Sequence, residues 1–234
     1  MLPQRPQSNL LICGIFFMST PKVKICCISS IEEAHLAITY GASALGLVSA
    51  MPSGPGPISE DLITEIIATV PQQIATFLLT SKQDAESIIA QQKKTKANTL
   101  QLVDAVSTEV YSKLRNELPG ISIVQVIHVL NNNSVEEAQS IAPWVDMILL
   151  DSGNPNLTVK ELGGTGRKHD WKLSRQIVAS VNKPVFLAGG LNSENVCEAI
   201  DVVQPYGVDL CSSVRTNGKL DEVKLKRFFT AVMS

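Results

Sequence analysis

The sequence lacks the marks of several broad protein classes. Its 20 Lys and Arg residues against 22 Asp and Glu leave a net charge of -2, without the basic excess of a general nucleic-acid binder. Its cysteines, at 13, 26, 27, 197 and 211, are odd in number and form neither a CxxC motif nor a Cys/His cluster with metal spacing. A disulfide scaffold and a structural zinc are therefore not expected, and free thiols point to a reducing compartment, the cytoplasm. The apolar run Leu10 to Met18 has nine residues, too short to span a bilayer. Its flanks carry only Arg5 and no small-residue cleavage pattern, which makes a poor signal peptide and a poor import segment. Residues 1–17 read as an appendage absent from the folded unit, with Met18 as the alternative start. With 44% hydrophobic and 18% charged residues, 18–234 reads as one large domain.

From Lys22 onward, short β-branched runs alternate with segments in which apolar residues recur every three or four positions. Strands are predicted at 23–28, 44–48, 74–79, 99–102, 123–129, 147–150, 185–188 and 208–211. Cap-like residues open the intervening helices: Ser30, Ser59, Ser134 and Asn192. Eight parallel strands with helical crossovers in roughly 210 residues predict a single (β/α)₈ TIM barrel. The competing open doubly wound sheet would carry a GxGxxG turn after its first strand, and Lys24-Ile25-Cys26-Cys27-Ile28 has none.

In such a barrel the chemistry sits at the carboxyl ends of the strands. Strand one ends at Cys26 and Cys27, which alternation would send to opposite faces, so that only one reaches the mouth. Lys24 shares the face of Cys26 and favours a thiolate there. Strand six ends in Leu149-Leu150-Asp151-Ser152, where the carboxylate is either turn chemistry or a general acid. Gly189-Gly190 after strand seven and Ser212-Ser213 after strand eight are suited to a phosphate, held by backbone N–H groups. The loop of about twenty residues after strand six carries Gly163-Gly164-Thr165-Gly166-Arg167 and reads as a lid or binding loop. His35 and the Lys93-Lys94-Lys96 cluster read as surface, His169 as solvated, and Trp171 as a helix anchor. His128 has the strand parity to reach the mouth, yet no named partner.

Lys24-Ile25-Cys26, Leu150-Asp151-Ser152, Gly163-Gly164-Thr165-Gly166, Asp170-Trp171, Leu187-Ala188-Gly189-Gly190-Leu191 and Pro205-Tyr206-Gly207-Val208-Asp209 occur in this order. Together they resemble the phosphoribosylanthranilate isomerase family of tryptophan biosynthesis, from about Lys22 to the C-terminus. The resemblance implies a TIM barrel that performs an Amadori rearrangement of an aminoaldose phosphate without metal or organic cofactor. Carried over by motif, Cys26 is the general base and Asp151 the general acid, with the phosphate on Gly189, Gly190, Ser212 and Ser213. The other expected substrate contacts are Lys24, Gln101, Gly164, Thr165, Asp209 and Arg215. The partner is a small anionic sugar phosphate, with neither nucleic acid nor membrane, and the protein is a monomer or homodimer.

The departures from the family pattern are as specific as the matches. Cys27 replaces a glycine, and a reshaped turn is expected there. The family's Ser-Pro-Arg after strand two, whose arginine meets the anthranilate carboxylate, becomes Gly54-Pro55-Gly56, and no Lys or Arg lies between Lys24 and Lys82. Gln-Leu-His-Gly after strand four becomes Gln101-Leu102-Val103-Asp104, with a carboxylate near an anionic ligand. Arg215 replaces a glutamate and is expected to neutralise the phosphate, Ser213 to crowd it; Arg215 or Arg167 would stand in for the missing arginine. Two alternatives stay open: an isomerase or lyase of another sugar phosphate, and a non-catalytic barrel that binds a phosphorylated metabolite.

Overall fold

The computed structural model describes residues 20–233, in which the apolar runs form eight parallel strands. They are β1 (Lys22–Ile25), β2 (Ala44–Val48), β3 (Ala75–Thr80), β4 (Thr99–Leu102), β5 (Ser122–His128), β6 (Met147–Asp151), β7 (Val185–Leu187) and β8 (Gly207–Leu210). Each pairs with the next, and β8 returns to β1 in the register Lys24 to Asp209, closing the predicted barrel. The appendage proposed for residues 1–17 lies outside the described residues.

Alternation sorts each strand between two cores. Val23, Ile25, Leu45, Leu47, Leu78, Leu100, Ile148 and Leu150 point outward into a core shared with the helices. Ala44, Val48, Phe77, Leu79, Val124, Val126, Leu149 and Phe186 point inward and fill the barrel. Phe77 and Phe186 meet edge to face inside it at 5.9 Å.

The outer ring comprises α1 (Ile31–Thr39), α2 (Glu60–Thr69), α3 (Ala85–Thr95), α4 (Thr108–Glu117), α5 (Asn133–Ile141), α6 (Trp171–Ser180), α7 (Val196–Val203) and α8 (Glu222–Met233). Ser30 and Ser59 cap α1 and α2 as expected, accepting from the N–H groups of Glu33 and Leu62. The other two expected caps are displaced. Ser134 lies inside α5, its hydroxyl tied to the Leu130 N–H and the His128 carbonyl. Asn192 instead forms a turn, accepting from the N–H groups of Glu194 and Asn195, and α7 begins at Val196. A short antiparallel hairpin, β9 (Arg215–Thr216) and β10 (Lys219–Leu220), precedes α8. Its turn is Asn217-Gly218, both with positive φ.

Candidate active site

The carboxyl ends of the strands surround an open cleft, the place where a barrel of this kind binds its ligand. Inward parity delivers Cys26, Gln101, Val103, Asp151, Ala188, Asp209 and Cys211 to its wall.

Cys26 lies one residue past β1, its N–H still paired to the Leu210 carbonyl at 2.8 Å. Its neighbour across the strands is Gly46 of β2. A Cβ added at Gly46 would lie 2.8 Å from Cys26 Sγ and 3.1 Å from Lys24 Nζ, so the thiol and the ammonium flank one bare stretch of backbone. Lys24 is fully buried, donating to Asp209 Oδ2 at 2.9 Å and lying 5.2 Å from the Phe77 ring centroid. Burial opposes its charge, but Asp209 and then Cys26 outweigh burial and raise its pKa. Asp209 itself is pushed up by burial, with Lys24 offsetting in part. Two acceptors in this wall, Asp209 Oδ1 and Gln101 Oε1, are buried without a hydrogen-bond partner. They are ready to receive hydroxyl donors.

Cys26 and Cys27 do not diverge as strand alternation predicts; both line the cleft. The strand ends at Ile25, and Cys27 takes φ +62°, the left-handed region that its family glycine would occupy without strain. The Cys27 thiol donates to the Pro55 carbonyl at 3.5 Å; contact with Cys211, then with Cys26, pushes it up, while its proximity holds Cys211 below the ordinary thiol range against burial, Arg215 assisting.

Asp151 ends β6, its Oδ1 accepting from the Ser152 N–H at 2.7 Å. The β6–α6 loop folds back over it. A Cβ at Gly163, where φ is +133°, would lie 2.6 Å from Asp151 Oδ2, so only glycine lets the loop pass this close to the carboxylate. Thr165 is anchored by its hydroxyl to Ser152 Oγ at 2.7 Å, and Gly164 abuts Pro55 of the β2–α2 loop. His169 is half-buried rather than solvated: Nε2 is 2.7 Å from Ser174 Oγ, and burial lowers its pKa despite nearby Asp151 and Asp170. Sequence reasoning passed over it because its Ser174 partner lies on the next helix.

At the far end, Gly189, Gly190 and Ser212 line the cleft, and their backbone N–H groups make no hydrogen bond among the described residues. Ser213 lies in a separate depression with Asn192 and Ser193, its hydroxyl buried without a partner. It does not crowd the cleft.

A family model described as N-(5'phosphoribosyl)anthranilate (PRA) isomerase matches residues 23–231, nearly the whole described barrel. The chain belongs to this isomerase family. N-(5'-phosphoribosyl)anthranilate isomerase 2 of Methanosarcina mazei is 36% identical over 209 residues, 88% of this chain and 92% of its own. The namesake from Methanocella arvoryzae is 31% identical over 208 residues, 89% of this chain and 95% of its own. Among solved structures, phosphoribosyl anthranilate isomerase from Thermotoga maritima superposes with a TM-score of 0.78 at 29% identity, covering 91% and 98% of the two chains. A phosphoribosyl anthranilate isomerase in complex with reduced 1-(o-carboxyphenylamino)-1-deoxyribulose 5-phosphate superposes with 0.76 at 28% identity, over the same shares.

Within the isomerase family pattern, the departures acquire physical reasons. Arg215, expected at the phosphate, does not line the cleft. Its side chain is 7% exposed, bound to Glu33 at 2.9 Å and donating to the carbonyls of Cys26, Cys27 and Gly218. Arg167 is exposed and paired with Glu161. Asp104, the carboxylate expected near an anionic ligand, is occupied by Lys160 at 2.5 Å. His128 lies outside the cleft lining, donating from Nε2 to the Val103 carbonyl at 3.1 Å. His35 is on the surface, Trp171 packs on the core, and Lys94 pairs with Asp61 at 3.0 Å. Gly46 was not singled out from the sequence, although a lone glycine inside an apolar strand signals a close approach.

Proposed function

We propose that the protein isomerises N-(5'-phosphoribosyl)anthranilate to the corresponding 1-(o-carboxyphenylamino)-1-deoxyribulose 5-phosphate, an Amadori rearrangement in tryptophan biosynthesis. The observation that carries this reading is one cleft holding a thiol beside a buried ammonium and a carboxyl group beneath a glycine loop. Asp151 gives a proton to the furanose ring oxygen, and the ring opens to an iminium at C1′. That cation acidifies the C2′ hydrogen, which Cys26, beside the Lys24 ammonium, removes. The resulting enolamine takes a proton at C1′ and its C2′ hydroxyl becomes the ketone. No proton is gained or lost overall.

The remaining contacts follow from the groups each provides. The free N–H groups of Gly189, Gly190 and Ser212 receive the phosphate, with Thr165 and Gly164 closing above it. Gln101 Oε1 and Asp209 Oδ1 accept sugar hydroxyls. Only proton transfers are involved, so the reading calls for neither metal nor organic cofactor. It places the enzyme in the cytoplasm, with Cys26, Cys27, Cys197 and Cys211 as free thiols, acting as a monomer or homodimer.

Steady-state turnover of phosphoribosylanthranilate tests this directly. Cys26→Ala and Asp151→Asn are each expected to lower kcat by about 10²- to 10⁴-fold, the scale of one acid or base, with the fold intact by circular dichroism. A folded wild-type protein without turnover would falsify the reading.

A further inference from the structure

The proposed substrate has two anionic ends, a phosphate on the sugar and a carboxylate ortho to the aryl nitrogen. The cleft is divided in the same sense. Free backbone donors gather at Gly189, Gly190 and Ser212, while Val48, Met51, Leu79, Val103 and Leu162 form an apolar wall fit for an aryl ring. No side chain lining the cleft is Lys or Arg, and two of them, Asp151 and Asp209, are acids. A benzoate seated there without a cation would be desolvated beside like charges.

The β2–α2 loop cannot supply that cation. It has no Lys or Arg, and at Gly56 there is no room for a side chain: a Cβ would lie 2.6 Å from Cys27 Cβ. Besides Lys219, exposed in the β9–β10 hairpin, five cations lie in the loops after the strands among the described residues. Arg215 is held by Glu33, Arg167 by Glu161, and Lys168 lies over Trp171 at 4.8 Å. Lys82 is exposed, beside Asp84.

Lys160 differs because the apolar wall itself fixes it. Its carbonyl accepts from Ser53 Oγ at 2.5 Å, and Ser53 lines the cleft. Two residues on, buried Leu162 is part of the wall. Its ammonium meets Asp104, the residue after Val103, at 2.5 Å, and Asp104 is 8% exposed. One N–H of the ammonium is used and two are free to donate.

We infer that Lys160 recognises the aryl carboxylate of the substrate, held for this purpose by Asp104. The inference rests on the isomerase reading and fixes which end of the cleft takes the ring. It is tested by titrating wild type, Lys160→Met and Lys160→Arg with two ligands. One is reduced 1-(o-carboxyphenylamino)-1-deoxyribulose 5-phosphate; the other is its phenylamino counterpart without the carboxylate. Lys160→Met is expected to weaken the carboxylated ligand about 10- to 100-fold, the scale of one charge-assisted hydrogen bond, and to leave the carboxyl-free ligand unchanged. KM for the substrate should rise by the same factor with kcat little altered, and Lys160→Arg should restore most of the affinity. Equal loss for both ligands, or loss for neither, overturns the assignment while leaving the isomerase reading in place. Wild-type protein that binds neither ligand overturns both.

Discussion

Single atoms decide whether this cleft works, and Gly46 is the clearest case. Any side chain there would press on Cys26 Sγ and Lys24 Nζ together. Gly46→Ala is expected to cost about 1–3 kcal/mol in urea unfolding, the usual range for overpacking, and to lower kcat by moving the thiol. Cys211 offers a second test at this scale. It is only half-buried and its thiol is held below the ordinary range beside Cys27, whereas Cys27 is buried and pushed up. Iodoacetamide near pH 7 should therefore label Cys211 ahead of Cys27, as read by peptide mass spectrometry. Of these residues, Cys26 and Asp151 were legible because strand parity and sequence motif agree on them. The joint placement of Cys26 and Cys27 was not, since it depends on a left-handed residue that alternation does not anticipate.

Among the elements, α1 and the β9–β10 hairpin act through one ion pair. Glu33 of α1 receives Arg215 as well as the N–H groups of Leu220 and Ser29, and Arg215 also holds the carbonyls of Cys26 and Cys27. This clamp fixes the turn that presents the thiol. Arg215→Met leaves a buried carboxylate without its partner and is expected to destabilise by about 3–5 kcal/mol in chemical unfolding. The double variant Arg215→Met with Glu33→Gln should lose less than the sum of the two single changes.

The elements also mark how far local signals reach. Strand positions, and the caps at Ser30 and Ser59, are visible in the sequence because each depends on residues within a few positions. The Asn217-Gly218 turn signalled a hairpin that went unread. The bond of Arg215 to Glu33 was not visible in the sequence because the two lie 182 residues apart. Lys160 escaped notice for the same reason, with Asp104 56 residues distant. Long loops carry few periodic constraints, and pairing across the barrel mouth becomes visible only once the strands are ordered in space.

Taken whole, the molecule's response to acid depends on the same clamp. Burial works against the Glu33 carboxylate, but Arg215 and the two N–H donors outweigh it and lower its pKa from the ordinary value of 4.5. The folded state therefore binds this proton less readily than the unfolded chain. The clamp's contribution is complete above about pH 4.5 and is lost as pH falls through the lower folded-state value. Glu33→Gln should flatten the dependence of stability on pH in that acidic window, measured by urea midpoints across a pH series.

The seam where β8 meets β1 has a consequence for timing. Lys24 and Asp209 are 185 residues apart in the chain, and their pairing belongs to the register that shuts the ring. A nascent chain stopped before β8 lacks both the counter-charge of Lys24 and one wall of the cleft. Chemistry must therefore wait until the ribosome has delivered β8. A fluctuation that opens this one seam separates Lys24 from Asp209 and parts the wall that carries Cys26 from the wall that carries Cys211.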